Sequence, residues 1–436
     1  MPAEPRRPPE QADGVLLTGA TGFVGMELLA RYLEHTDRQI YALVRAANTR
    51  EAAARIERTL RALFGAGHPH SGRVVALPGD ITRPHLGLRA KQRDQLAERV
   101  SEIAHSAASV SFTLSLQESR TINVGGTQHV LELARLCHAR GGLRRLSHVS
   151  TAYVAGEHRG RFNEDDLDVG QRFRNPYEQS KFEAERLVAD ARTQLPITVL
   201  RPSIVVGERD SGWTTSFNVL YWPLRAFAHG AYVALPARRD APVDVVPVDY
   251  VADAAFALSQ SPEAEGGTYN LTAGANASCV GELIELAVRR FGRPAPRLIA
   301  PGTYRRIVHP LLLRASPDPR TRRALERSEA LFPYFAVAVT YDNRCSRVAL
   351  HPAGIEPPPL RSYFDRLVEF ALAAEWGRRP LPRAPLAGRN ASFPYAQLSH
   401  VRPTMRPARR TRPRNARARA LRVVPPPPSA PNAVPA

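Results

Sequence analysis

Two side chains four residues apart, Tyr177 and Lys181, are the first candidates for chemistry in this chain of 436 residues. Lys181 is one of only two lysines among many arginines, so we expect it to do something that a guanidinium group cannot. The sequence that begins at Asn175-Pro176 predicts a helix, and residues i and i+4 of a helix share a face. We therefore predict that the ammonium group lowers the pKa of Tyr177, which would let the phenol donate a proton to a carbonyl oxygen.

A glycine-rich turn near the start of the chain is a second motif that accompanies the Tyr177–Lys181 pair. The apolar run Gly14–Thr18 predicts a buried parallel strand, and a helical pattern follows the turn to about Leu33. Glycines in such a strand-turn-helix allow the backbone to approach a pyrophosphate, which the helix N-terminus then binds. This variant of the dinucleotide fingerprint reads Thr18-Gly19-Ala20-Thr21-Gly22-Phe23-Val24-Gly25.

The next predicted strand, residues 39–44, ends at Arg45 and is followed by no acid until Glu51. An NAD site usually carries an acid here to hold the ribose 2′-hydroxyl, whereas arginine suits a 2′-phosphate. We therefore predict NADP(H) as cofactor, with Arg50 and Arg55 as candidate helpers. The alternative is that Arg45 is a solvated strand end.

The formal charge of +19 is concentrated at one end of the chain, because thirteen arginines and no acids follow Glu375. We predict disordered ends at residues 1–13 and 377–436, since neither has the apolar content to fold. The first segment has no apolar stretch, so we expect no signal peptide. Three cysteines without ligand-like spacing favour a reducing, cytoplasmic location and no metal site. We expect no nucleic-acid partner and at most peripheral membrane contact.

The pattern of strands and helices predicts an α/β fold, a Rossmann-like doubly wound parallel sheet, with a smaller and mostly helical substrate-side domain. We expect an NADP-binding domain over residues 14–275, with a substrate-lining insertion at about 208–240. Residues 276–376 would form the helical region. The aromatic stretch Trp213–Leu235 is interpreted as a core helix pair, the lining of an apolar pocket, or a membrane contact, in that order.

These motifs appear in the order that is typical of the extended short-chain dehydrogenase/reductases, and the chain resembles that family over about residues 14–274. It looks most like the thioester-reductase and fatty acyl-CoA reductase branch. The features that carry the branch resemblance are Leu43-Val44-Arg45-Ala46, the run from Gly79-Asp80-Ile81-Thr82 to Leu88, and Val149-Ser150-Thr151-Ala152-Tyr153.

The resemblance implies roles for individual residues. Thr151, or alternatively Ser150, would join Tyr177 in polarising the substrate carbonyl, and Lys181 would also hold the nicotinamide ribose. Asn123 would support a proton relay. The remaining expected cofactor contacts are Gly19, Gly22 and Gly25 at the pyrophosphate, Asp80 and Ile81 at the adenine, Arg45 at the 2′-phosphate with Arg55 as its candidate helper, Pro202 and Ser203 beside the nicotinamide, and Thr21, Phe23, Val24, Ala107 and Ala108 elsewhere along the cofactor.

Some of these residues also have plain structural interpretations. Asp80 would be a turn residue after a strand, and Thr151 a packing residue at a strand end. For His105 we expect a structural role, satisfying backbone groups at a sheet edge, rather than catalysis.

The function that the resemblance implies is NADPH-dependent reduction of an acyl thioester, brought on CoA or a separate carrier protein, to an aldehyde or further to an alcohol. Two alternatives use the same scaffold: a carbonyl reductase or hydroxysteroid-type dehydrogenase, and a nucleotide-sugar epimerase or dehydratase. The third is a non-enzymatic NADP-sensing protein, which would not need the tyrosine and lysine. The sequence does not predict the acyl group or the oligomeric state.

Overall fold

The computed structural model describes residues 13–140, 142–217, 219–230, 232, 234–315, 334 and 337–383. The predicted disordered ends therefore lie almost entirely outside the described residues. The strands within them are β1 Gly14–Thr18, β2 Ile40–Val44, β3 Val74–Pro78, β4 Val100–His105, β5 Arg145–Val149, β6 Gly160–Phe162, β7 Ile197–Pro202, β8 Ile204–Val206, β9 Ala234–Pro236, β10 Pro242–Val243, β11 Val245–Pro247, β12 Thr268–Leu271, β13 Ser278–Cys279, β14 Arg297–Ile299 and β15 Val339–Tyr341.

Helices alternate with these strands in the first half of the chain, and further helices follow in the second half. They are α1 Phe23–His35, α2 Thr49–Phe64, α3 Ala90–Arg99, α4 Leu116–Arg120, α5 Gly126–Ala139, α6 Pro176–Ala191, α7 Tyr221–Ala228, α8 Val248–Gln260, α9 Val280–Phe291, α10 Pro301–Thr303, α11 His309–Ala315, α12 Arg344–Leu350 and α13 Phe364–Ala373. Two π-helical turns, Thr121–Gly125 and Tyr304–Val308, interrupt the helical segments.

Seven strands form one parallel sheet in the order β12-β7-β5-β4-β1-β2-β3. Because the chain winds outwards in both directions from β1 and β4, the segments that follow these two strands lead to opposite faces of the sheet and leave a crevice between them, the usual ligand position in such sheets. The predicted doubly wound Rossmann-like fold is confirmed.

Helices cover both faces of the sheet, because alternate residues of each strand place apolar side chains on opposite sides. Leu17 of β1 packs with α1, α2 and α8 in one buried cluster, whereas Leu16 packs with α3, α5 and α6 in another. The strands are apolar on both faces, as is typical of parallel sheets.

The second half of the chain builds a further core beyond the end of the sheet. Helices α7, α9 and α13 bury apolar residues against β8 and β11, for example Phe227, Leu286 and Leu367. The predicted core helix pair in Trp213–Leu235 is wrong for the described residues, which form one helix, α7, followed by β9. The described residues on both sides of position 275 fall in one compact unit, and the predicted domain division stays a prediction.

The first seven residues of the predicted tail, 377–383, lie within the described residues, and two of them, Leu381 and Arg383, contact the folded body. Arg383 is buried, and its guanidinium binds Glu27 of α1 at 2.9 Å and also binds Glu208. It lies 5.2 Å from the ring of Trp213, whose indole N–H donates to the Leu381 carbonyl. A buried cation needs such compensation for its lost hydration, so we place the start of the predicted tail after Arg383.

None of the helices in the described ranges is both long enough and apolar enough to span a membrane.

Candidate functional site

Two cavities lie at the carboxyl ends of the parallel strands. The larger, of about 940 Å³, brings together residues that follow β1, β4, β5 and β7, and the smaller, of about 660 Å³, lies where β2 and β3 end. Residues predicted for the site that line the larger cavity are Gly22, Phe23, Val24, Gly25, Ala108, Ser150, Thr151, Tyr177, Lys181, Pro202 and Ser203. The smaller cavity is lined by the predicted Arg45, Arg55 and Asp80.

The glycine-rich turn between β1 and α1 is as tight as the fingerprint requires. Gly19 has a φ of +79°, which favours glycine, and its carbonyl accepts a hydrogen bond of 2.8 Å from the Gly22 N–H. A Cβ on Gly25 would lie 2.0 Å from the Gly19 carbonyl oxygen, so no side chain fits there. The turn therefore presents backbone and the start of α1 to the cavity, which fits a pyrophosphate. Gly19 and the exposed Thr21 themselves lie outside its lining.

Helix α6 places Tyr177 and Lys181 in the larger cavity. Asn175 caps the helix by accepting from the Glu178 N–H at 3.0 Å, and Pro176 occupies the first turn, where its missing N–H costs nothing. The Thr151 hydroxyl interacts with the Tyr177 hydroxyl, and it also donates to the Pro202 carbonyl at 3.4 Å. The Lys181 ammonium donates to the Val149 carbonyl at 2.9 Å and is almost completely buried.

Burial decides the acidity of both groups. It raises the pKa of Tyr177 to about 12, and the hydrogen bond from Thr151 offsets only part of that rise. Burial likewise lowers the pKa of Lys181 to about 8, partly opposed by the charge of Glu185. The prediction that Lys181 lowers the pKa of Tyr177 is therefore wrong for this arrangement, because desolvation of the phenolate dominates and the charge of Glu178 adds to the rise.

The two candidate hydroxyls on the β5 loop have different partners. Ser150 donates to a Glu185 carboxylate oxygen at 2.5 Å, and the same carboxylate is held by Arg201. Thr151 instead interacts with Tyr177 and donates to the Pro202 carbonyl over a much longer distance, 3.4 Å. Since Ser150 is held by the shorter bond to a carboxylate, this arrangement favours Thr151 as the partner of the substrate oxygen.

Asn123 lies near the site but outside the cavity lining. It occupies the π-helical turn between α4 and α5, an irregularity that is frequent at functional sites. Its amide donates to the Ser180 hydroxyl at 2.9 Å and to the Ser109 carbonyl at 3.1 Å. It thus ties the loop after β4 to helix α6. Ala107 also lies outside the lining and backs Gly19.

His105 lies on the central strand β4, so the expectation of a sheet-edge position is wrong. Its ring bonds to two hydroxyls rather than to backbone: Thr18 at 2.8 Å and Thr127 at 3.2 Å. Because Thr127 donates its proton to the Asn123 carbonyl at 2.7 Å, it must accept from the imidazole. Burial lowers the pKa of His105 to about 3, and the neutral ring links the cofactor turn to Asn123.

The smaller cavity is lined by four arginines, of which the sequence analysis assigned only two. Arg55 pairs with Glu51 at 3.0 Å, whereas Arg45 faces the cavity together with Arg83 and Arg89. Both of the latter follow β3: Arg83 lies in the run from Gly79 to Leu88 that carried the family resemblance, and Arg89 comes directly after it. The sequence feature that could have identified them as cofactor contacts is the absence of acidic residues directly next to them. The predicted helper Arg50 and the predicted adenine contact Ile81 do not line this cavity.

Replacing Arg45 by alanine tests the predicted phosphate contact. A lost charge-assisted hydrogen bond costs about 1.5–3 kcal/mol, so we expect KM for NADPH to rise about 10- to 100-fold and KM for NADH to change little. Initial rates with each cofactor measure this. Arg50→Ala, which removes a neighbouring charge outside the cavity, is the matched control. An equal effect of Arg45→Ala on both cofactors would exclude the phosphate role.

Several aromatic residues of the larger cavity had no assigned role in the sequence analysis: Phe112, Tyr153 and Tyr334. They come from three separate segments, so no local pattern joins them. Trp222, by contrast, falls in the stretch that was considered as a pocket lining, and it does line the cavity. No group of metal-ligating side chains occurs among the residues that the structure describes.

Comparisons with known proteins find relatives over more than half of this chain. Fatty acyl-CoA reductase wat of Drosophila melanogaster is 30% identical over 278 residues, which are 56% of this chain and 53% of that protein. Isonitrile lipopeptide synthase of Streptomyces coeruleorubidus is 34% identical over 250 residues, 57% of this chain but 16% of that protein. The chain thus matches at most about half of either relative.

Among solved structures, the terminal R domain of the myxalamid PKS-NRPS biosynthetic pathway superposes with a TM-score of 0.74 at 29% identity, over 85% of this chain and 93% of that one. Residues 17–255, from the end of β1 into α8, match the family model described as Male sterility protein. That stretch holds the glycine turn, Arg45 and the Tyr177–Lys181 pair. The chain belongs to this NAD-binding family of extended short-chain dehydrogenase/reductases.

Proposed function

We propose that this protein uses NADPH to reduce an acyl thioester to an aldehyde and a free thiol. The observation that carries the proposal is that the hydroxyls of Tyr177 and Thr151 and the buried Lys181 line one largely apolar cavity. The relatives support the substrate class, because one is named a fatty acyl-CoA reductase and one structure is the terminal R domain of a PKS-NRPS biosynthetic pathway.

The residues of the site would act mainly on the thioester oxygen. The hydroxyls of Tyr177 and Thr151 hydrogen-bond that oxygen, where negative charge develops. NADPH, when bound, supplies a hydride for the carbonyl carbon. Tyr177, whose raised pKa keeps it protonated, gives its proton to the oxygen. The carbon–sulfur bond then breaks, and the hydroxyl proton leaves with the sulfur as a thiol.

Lys181 would interact with both Tyr177 and the cofactor. Its ammonium stabilises the phenolate that remains on Tyr177, and it can also bind the ribose of the cofactor. The hydrogen bond to the Val149 carbonyl fixes its position on the floor of the cavity. A buried charge with one neutral acceptor interacts strongly with any new charge nearby.

The choice of NADPH over NADH rests on the smaller cavity. Arg45, Arg83 and Arg89 present guanidinium groups where the second strand ends, which suits a 2′-phosphate. We further infer a substrate delivered on CoA or on a separate carrier protein. The three cysteines are free, which supports a cytoplasmic location.

The test is the rate of NADPH oxidation by the purified chain with separate substrates. We would compare decanoyl-CoA, decanoyl-pantetheine, decanal and a ketone of similar length, with NADH as the second reductant. Loss of NADPH with stoichiometric thiol release from either thioester is the expected result. Turnover of the aldehyde or ketone without any from the thioesters would replace the proposal by a carbonyl reductase, with the same residues in the same roles.

A further inference from the structure

Tyr334 reaches the catalytic helix from a distant part of the chain and lines the larger cavity. Its ring stacks on Phe112, with centroids 5.2 Å apart and planes 15° from parallel. Phe112 in turn lies 5.8 Å from the ring of Tyr177. On its other side, Tyr334 meets Tyr153 edge to face at 5.3 Å. A continuous row of aromatic rings therefore starts at the proposed proton donor.

The hydroxyl of Tyr334 is fixed at the first turn of α6. It accepts from the Asn175 amide at 2.6 Å and donates to the Glu178 carboxylate at 2.8 Å. Glu178 is fully buried and also pairs with Arg174 at 3.1 Å, so the anchor is itself held. Two hydrogen bonds and two ring contacts leave Tyr334 little freedom, which prevents Phe112 from turning away from the cavity.

We propose that Tyr334, acting with Phe112, determines which acyl groups the site accepts. This inference rests on the proposed function. The carbonyl carbon must lie beside the hydroxyls of Tyr177 and Thr151, so the next carbons of the acyl chain lie against Phe112. A ring that is backed by Tyr334 cannot yield to a substituent there. Straight chains pass along the wall, and chains branched next to the carbonyl clash with it.

The test compares straight and branched substrates with two variants. For decanoyl-CoA and 2-methyldecanoyl-CoA, the ratio of kcat/KM values in favour of the straight chain should fall about 10-fold or more in Tyr334→Ala, the range that one methyl group is worth in a pocket. Tyr334→Phe keeps the ring stack but loses both hydrogen bonds, so its ratio should lie between the values of the parent and of Tyr334→Ala.

If Tyr334→Ala leaves the ratio unchanged, even with kcat/KM lowered equally for both substrates, the inference is overturned and Tyr334 is a structural residue. NADPH affinity, followed by fluorescence, reports whether the variant is folded. If it is not, Phe112→Leu tests the same wall, and an unchanged ratio there also overturns the inference. If the parent protein reduces neither thioester, the proposed function fails, and decanal against 2-methyldecanal then applies the same ratio test to Tyr334 alone.

Discussion

Tyr177→Phe should lower the turnover number by about 10²- to 10⁴-fold, the usual contribution of a general acid, and leave the dissociation constant for NADPH within about 2-fold. The variant removes the proton donor and the hydrogen bond to Thr151 but keeps the ring that packs against Phe112. Stopped-flow or steady-state rates with the best thioester, together with a fluorescence titration of NADPH, measure the two quantities separately.

Tyr153→Phe is the matched control for this experiment. Tyr153 is a buried tyrosine of the same cavity, so its variant removes a phenolic oxygen of equal size from a neighbouring position. We expect its turnover to stay within about 3-fold of the parent value, since the proposed chemistry does not use it. Retained activity in Tyr177→Phe would mean that another group supplies the proton.

Replacing Lys181 by either arginine or methionine should lower turnover by about 10²-fold. Arginine keeps the charge, but its planar group does not fit the buried space in which the ammonium meets the Val149 carbonyl. Methionine fits the space and loses the charge. The chain's only other lysine, Lys91, is exposed on α3, and Lys91→Arg is the control that should have no effect.

The pH dependence of turnover is an independent test of the role of the Lys181 charge. Burial lowers its pKa to about 8, and a lysine is charged below its pKa. If the charged form is the active one, turnover is highest below pH 8 and falls as the pH rises through that value. The fall should be absent from the residual activity of Lys181→Arg, whose charge does not titrate there. A pH profile that is the same in parent and variant would remove Lys181 from the chemistry.

The parts of the site that the sequence predicted best are those formed by neighbours in the chain. The glycine turn from Gly19 to Gly25 and the cap, tyrosine and lysine of α6 each lie within one strand-turn-helix or one helix, where spacing alone fixes geometry. Strand β1 coincides with the predicted run. The parallel, doubly wound sheet followed from the alternation of strands with helices.

The features that the sequence did not predict depend on how deeply side chains are buried and on contacts between residues that are far apart in the chain. The acidity of Tyr177 was misjudged because helical periodicity places Lys181 on the same face but does not say how deeply both groups are buried. The pairing of Tyr334 with Glu178 joins residues 156 positions apart, which no local pattern reports. The choice between Ser150 and Thr151 likewise needed Glu185, a residue on another element.

The contact between Arg383 and Glu27 has a consequence for the order in which the protein forms. The two residues are 356 positions apart, and Glu27 belongs to the helix that follows the cofactor turn. At about 5–20 residues per second, a ribosome would add Arg383 roughly 20–70 s after Glu27. During synthesis the residues of the nucleotide-binding crevice are therefore made well before this buried counter-ion. A nascent chain gains this part of its stability only after Arg383 has been added.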